Sequence, residues 1–144
     1  MANLIPVNSF GFKVLIDGKE LGLFQEVSGL SVQVNVTDLA EGGLNTSTHK
    51  LIEGVSYSNV TLKRGLCDAS GLYTFILPAI NGEIDKLRIG TVTIISLDES
   101  GNEGMKYELK DAVPVKWDGP SLNVMQDSIA TETLELAHEG LTVK

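Results

Sequence analysis

Two histidines, one cysteine and nineteen carboxylates hold most of the reactive chemistry in this 144-residue chain. A thiol becomes a catalytic nucleophile when an imidazole lies within hydrogen-bond reach of it. Neither His49, in a glycine-rich stretch, nor His138, at the end of a strand-like run, is near Cys67 in sequence. Cys67 reads better as a small buried hydrophobe at the start of a helix. A structural zinc site takes about four soft ligands, and the chain offers these three, unclustered.

The carboxylates could in principle supply a glycosidase-type acid–base pair. Most of them fall in hairpins (Asp98, Glu99, Glu103) or on strand faces (Glu132, Glu135), where a solvated surface is expected. Asp98-x-Ser100-x-Asn102 has the oxygen ligands of a calcium loop. Glu103 stands where such a loop needs glycine, however, and Glu108 comes too early for the bidentate ligand, so a turn is expected. Gly42-Gly43 lacks the lysine pattern and the following helix of a phosphate cradle. No catalytic, metal-binding or cofactor-binding residue is assigned, no cofactor is expected, and the chain is not expected to be an enzyme.

The elements that would position these groups have a period of two. Phe10, Phe12, Val14 and Ile16 alternate with Gly11, Lys13 and Leu15, and Asp17-Gly18 supplies a hairpin turn. A run from Leu21 to Val27 ends at Ser28-Gly29. Leu30, Val32, Val34 and Val36 then alternate with Ser31, Gln33, Asn35 and Thr37, one dry face against one wet face. Residues 38–54 contain three glycines and show no apolar period, so they are expected to form a long functional connection. Tyr57 to Arg64 reads as a strand, with Val60 and Leu62 opposed to Asn59, Thr61 and Lys63. Further strands are expected over 87–97, 105–109, 113–117 and 129–138, with a hairpin loop at 98–104.

The one helix candidate is Asp68 to Asn81. Asp68 or Ser70 could cap it, and Leu72, Phe75, Ile76 and Ala79 share a face that should pack on the core. Pro78 predicts a kink or an early end near residue 77. The whole pattern is mainly β: one domain over residues 1–144, an antiparallel sandwich or partial barrel with a flanking helix.

Hydrophobic residues make up 42% and charged residues 21%, an ordinary globular composition. The net charge of −8, with no basic run longer than Lys63-Arg64, argues against a general nucleic-acid binder. A lone cysteine excludes an intramolecular disulfide and fits a reducing compartment. The N-terminus has neither a basic n-region nor a long apolar segment, so no secretory signal and no membrane insertion are expected. The N-x-[ST] matches at Asn35, Asn45 and Asn59 are then chance matches.

Seven blocks in order resemble the tail-tube proteins of contractile phages and phage-tail-like contractile injection systems. They are Phe12-Lys-Val-Leu-Ile-Asp-Gly18, Phe24-Gln-Glu-Val-Ser-Gly-Leu30, Glu41-Gly-Gly43 and Tyr57-Ser-Asn-Val-Thr-Leu-Lys-Arg-Gly65. The others are Leu97-Asp-Glu-Ser-Gly-Asn-Glu103, Pro114-Val-Lys-Trp-Asp-Gly-Pro120 and Ile129-Ala-Thr-Glu-Thr-Leu-Glu-Leu-Ala-His-Glu-Gly-Leu141. The resemblance spans about residues 9–141. It departs at Ile52-Glu53-Gly54, where many relatives turn through proline, and at Pro78.

The resemblance implies a homo-hexameric ring closing a larger β-barrel, with rings stacked into a hollow tube. A contractile sheath would surround the tube, baseplate and spike components would seed it, and a cargo effector or phage genome would pass through its lumen. Assembly would take place in the cytoplasm of the producing cell. A haemolysin-coregulated-type ring carrier, a baseplate-proximal tube paralogue and a monomeric β-sandwich ligand-binding module are the alternatives.

Six subunits of −8 give a ring roughly 48 negative charges, screened over about 8 Å at physiological salt. The long connection, with Glu41, Gly42, Gly43, Leu44, Asn45 and His49, is the expected contact between subunits or rings. Ser31, Gln33, Asn35 and Thr37, then Asn59, Thr61 and Lys63, are candidates to face either the lumen or the outer wall.

Overall fold

The computed structural model describes residues 11–40, 48–65, 72–120 and 131–144. Strands dominate, every pairing is antiparallel, and one α-helix lies among the described residues. β1 (Gly11–Ile16) and β2 (Lys19–Phe24) form a hairpin through Asp17 and Gly18 at φ 50° and 83°, the geometry of a two-residue hairpin turn. β3 (Glu26–Ser28) follows, then β4 (Val32–Ala40), β5 (Thr48–Tyr57) and β6 (Val60–Gly65). After helix α1 (Tyr73–Ile80) come β7 (Gly90–Leu97), β8 (Glu103–Asp118), β9 (Thr131–Ala137) and β10 (Gly140–Val143).

The main sheet runs β2-β1-β7-β8-β9-β6-β3, with β10 also on β8, while among the described residues β4 and β5 pair only with each other. The first part of β8 pairs with β7 and β10 and the last part with β9. Between the two parts Asp111 sits at φ 50°, beside the register shift against β7, as a bulge residue does. This long strand folds the sheet over its own core. The path ends at β2 and β3, which do not pair, so the barrel is open.

The core follows the alternation. Val14 of β1, Leu62 of β6, Val92 and Ile94 of β7, and Leu134 and Leu136 of β9 are buried, together with Leu72 ahead of the helix.

Four expectations change. The 38–54 connection is mostly strand: β4 runs to Ala40 and β5 starts at Thr48, pairing across a bulge between Asn35 and Val36. That bulge and Gly54 interrupt the alternation, which hid the second strand. The run at 57–64 is broken at Ser58-Asn59 into the end of β5 and the start of β6. The strands expected at 105–109 and 113–117 are one 16-residue strand bulged at Asp111.

α1 continues past Pro78 to Ile80. Pro78 removes only the hydrogen bond to the Thr74 carbonyl, and Thr74 is exposed to water. The helix stops instead at Gly82 (φ 79°), where Glu83 N–H donates to Pro78 O (2.7 Å) and Gly82 N–H to Ala79 O (3.3 Å), a Schellman motif. The expected cap residues Asp68 and Ser70 lie outside the described residues.

Candidate assembly interface

A buried polar network docks the helix on the sheet. β6 alternates Val60, Leu62 and Arg64 inward, and β9 alternates Glu132, Leu134 and Leu136 inward. Glu132, expected on a solvated face, is 1% exposed. Its Oε1 accepts Arg64 Nε at 3.0 Å and the Leu72 N–H at 3.1 Å, and its Oε2 accepts Trp117 Nε1 at 3.4 Å. Arg64 also reaches Leu21 O (3.4 Å) and lies 5.3 Å over the Phe24 ring. The carboxylate thus takes the role that a side-chain cap would fill at the start of α1. The signal was present in the sequence: one acid and one base, each in phase with the core residues of its own strand.

Leu72 is fully buried, while Phe75 and Ile76 are half-buried, with Phe75 packed on the core. Tyr73 stands edge-on to Trp117 with ring centroids 5.1 Å apart. The outer side of the helix is apolar as well. Tyr73 and Ile80 are exposed, and Ile84 in the following 3-10 turn (Ile84–Lys86) is 74% exposed.

The β4–β5 hairpin leaves the body through a tight root. Gly29 sits at φ 89°, and any side chain there would collide with the Asn59 carbonyl. Ser58 Oγ donates to Gly29 O (3.0 Å) and also bonds the Ser31 hydroxyl. The Tyr57 and His138 rings lie 5.2 Å apart, and His138 Nδ1 donates to Gly140 O at 3.1 Å.

Beyond the root, register puts Val32, Val34 and Val36 on one face with Tyr57, Val55 and Ile52. The valines are 51–52% exposed and Ile52 is 70% exposed, so the dry face inferred from alternation has no core of its own. Asp38 and Lys50 form an ion pair at its far end. The opposite face carries Gln33, Asn35 and Thr37 beside Ser56, Gly54 and Leu51, with Leu39 opposite His49. His49 is therefore a strand residue. Glu41, Gly42, Gly43, Leu44 and Asn45 lie outside the described residues, as does Cys67.

Thr61 and Lys63 occupy the outer face of the main sheet. Register sets Glu26, Lys63, Thr133 and Asp118 in one row across four strands, and Ser28, Thr61, Glu135 and Lys116 in the next. Asn59 lies in the break before β6, and Ser31 just ahead of β4. Composition could not have found these rows, because Glu26, Lys116 and Glu135 join them only through pairing.

A family model of the T4-like virus tail tube protein gp19 matches residues 8–142. The chain belongs to the T4-like virus tail tube protein family. A tail tube protein is a structural component of a phage tail or a phage-tail-like contractile injection system.

Among solved structures, the chain is similar to one from the six-fold symmetrised baseplate of the anti-feeding prophage. Identity is 26%, coverage 100% of this chain and 97% of that one, and the TM-score 0.78. A chain of the extracellular contractile injection system PVC, in its extended sheath–tube complex, matches at 20% identity over 98% and 93%, with a TM-score of 0.80. Hcp1 from Flavobacterium johnsoniae matches more loosely, at 12% identity over 93% and 94%, with a TM-score of 0.55. Comparison with curated protein sequences returns no match.

Proposed function

We propose that this tail tube protein is the repeating subunit of an inner tube built of stacked hexameric rings, and that it works by assembly rather than by catalysis. The observation that carries this is the β4–β5 hairpin, which holds Val32, Val34, Val36, Ile52 and Val55 half-exposed or more, away from any core. Fully burying such a side chain contributes about 1.5–3 kcal/mol. Five together are a strong incentive to associate, and a large apolar patch marks an interaction site. The open barrel adds unpaired edges at β2 and β3, which a ring of copies can satisfy. The six-fold symmetry of the anti-feeding prophage baseplate, in which a similar chain occurs, supports six copies.

In this reading the rows Glu26–Lys63–Thr133–Asp118 and Ser28–Thr61–Glu135–Lys116 line the lumen, together with the polar hairpin residues Gln33, Asn35 and Thr37. Their mixed charges, with acid in excess, let anionic cargo pass without sticking. The sheath–tube complex in which a similar chain occurs supports a contractile sheath as the outer partner and a baseplate as the starting point. Electron microscopy of the purified chain tests the reading. Tubes or stacked rings are expected, and Val34→Glu should give a folded protomer that makes neither. Isolated rings that never stack would favour a secreted ring carrier, and small monodisperse particles would overturn assembly altogether.

A further inference from the structure

The helix carries a second exposed apolar surface, with Tyr73 at its edge against Trp117. α1 contains no charged residue, and Tyr73, Leu77 and Ile80 follow one another at helical spacing. Tyr73 is 38% exposed and Ile80 60%, and Ile84 continues the patch just beyond the helix. A charge-free helix whose large apolar side chains face outward needs a cover for them. With no charge of its own, it cannot be recognised by an ionic partner.

The hairpin's valine face has the same chemistry and, among the described residues, also lacks a cover. A heterologous contact, the kind that closes a ring, joins two different patches of one chain. Each of these two patches is bordered by one acid–base pair: Asp38–Lys50 at the hairpin's far end, and Glu83–Lys86 (3.8 Å) after the helix. An acid and a base on each rim can meet a base and an acid on the other, which fixes register without a buried unpaired charge.

We infer that the apolar face of the β4–β5 hairpin of one copy docks on the outer face of α1 of the next copy. Ile52, Val34 and Val55 then lie against Ile80, Leu77 and Tyr73. This rests on the assembly reading above and names the partner surface within it.

Cross-linking on the full chain tests the contact. In a Cys67→Ala background, Ile52→Cys and Ile80→Cys are introduced together, tubes are assembled, and a short bismaleimide is added. A ladder extending beyond dimers is expected on a denaturing gel, with neither single-cysteine variant forming dimers. As a second measurement, Ile80→Lys should fold with an unchanged melting profile, because the site is exposed, yet lose at least tenfold in tube yield.

The inference is overturned if assembled tubes give no ladder, or if Ile80→Lys assembles at the wild-type level. Either result leaves the assembly reading intact. If the unmodified chain forms neither rings nor tubes, that reading falls and this contact falls with it.

Discussion

Arg64 and Glu132 meet at 3.0 Å with their side chains 7% and 0% exposed, so the chain buries a full ion pair between β6 and β9. The pair is embedded rather than isolated. The same carboxylate oxygen that takes Arg64 Nε also takes the amide of Leu72 just ahead of the helix, and the other oxygen faces the Trp117 indole N–H. Removing one member leaves the other charged, buried and partly unsatisfied, which is the costly case for buried pairs. Arg64→Ala should therefore destabilise the protomer by about 3–5 kcal/mol in urea unfolding. A loss below about 1 kcal/mol would mean that water reaches the carboxylate and that the network is not dry.

The helix divides its burial unequally. Leu72 is fully buried ahead of the first turn, whereas Phe75 is larger but only half-buried. Leu72→Ala should cost about 2–5 kcal/mol, and Phe75→Ala should cost less despite removing more atoms. Thermal unfolding of the two variants gives the order directly. The reverse order would place Phe75, and not Leu72, at the centre of the helix–sheet contact.

Much of the fold was legible because one face of most strands is dry. Val14, Leu62, Ile94 and Leu134 all lie where alternation puts them. The parts that were not legible share a cause, which is that local pattern cannot report pairing. β5 has apolar residues exposed on both faces and a bulge near Glu53, so its period is lost in the sequence. β8 crosses Asp111, a residue type that reads as a turn, because a left-handed backbone there is a bulge inside a strand. Glu132 was assigned to water by its charge, although its phase with Leu134 and Leu136 put it among core residues. The apolar hairpin face was visible as Val32, Val34 and Val36, but its exposure is a tertiary fact.

Asp98 organises the loop between β7 and β8. Its carboxylate accepts the amides of Ser100 (2.9 Å) and Asn102 (2.8 Å) and the Asn102 side-chain amide (3.3 Å). The Asn102 backbone N–H, chief among these donors, holds the Asp98 carboxyl below the usual carboxylate range. A group whose folded pKa is lowered stabilises the fold at neutral pH, and the effect fades as pH falls through the folded value. Asp98→Ala should accordingly be less stable than wild type at neutral pH, with the difference closing in acid. A carboxyl NMR titration placing Asp98 at or above the ordinary aspartate value would refute the turn's role.

The groups with the most reactive chemistry should prove dispensable to the machine. His49 is a strand residue opposite Leu39, and His138 donates through Nδ1 to Gly140 O while its ring lies beside Tyr57. Both placements are structural, and among the described residues no three His, Cys, Asp or Glu side chains gather closely enough to hold a metal ion. Cys67→Ala, His49→Gln and His138→Gln should each preserve tube assembly and sheath recruitment. His138→Gln should show a modest stability loss, of about 1 kcal/mol, from the lost ring contact. Glutamine keeps a donor that can reach the Gly140 carbonyl, so the turn into β10 should survive. The measurement is the yield of sheathed particles by microscopy, scored beside cargo delivery for the same preparation. Particles that assemble fully but no longer deliver after one of these substitutions would show that a side chain acts chemically during injection, contrary to a function carried by assembly alone.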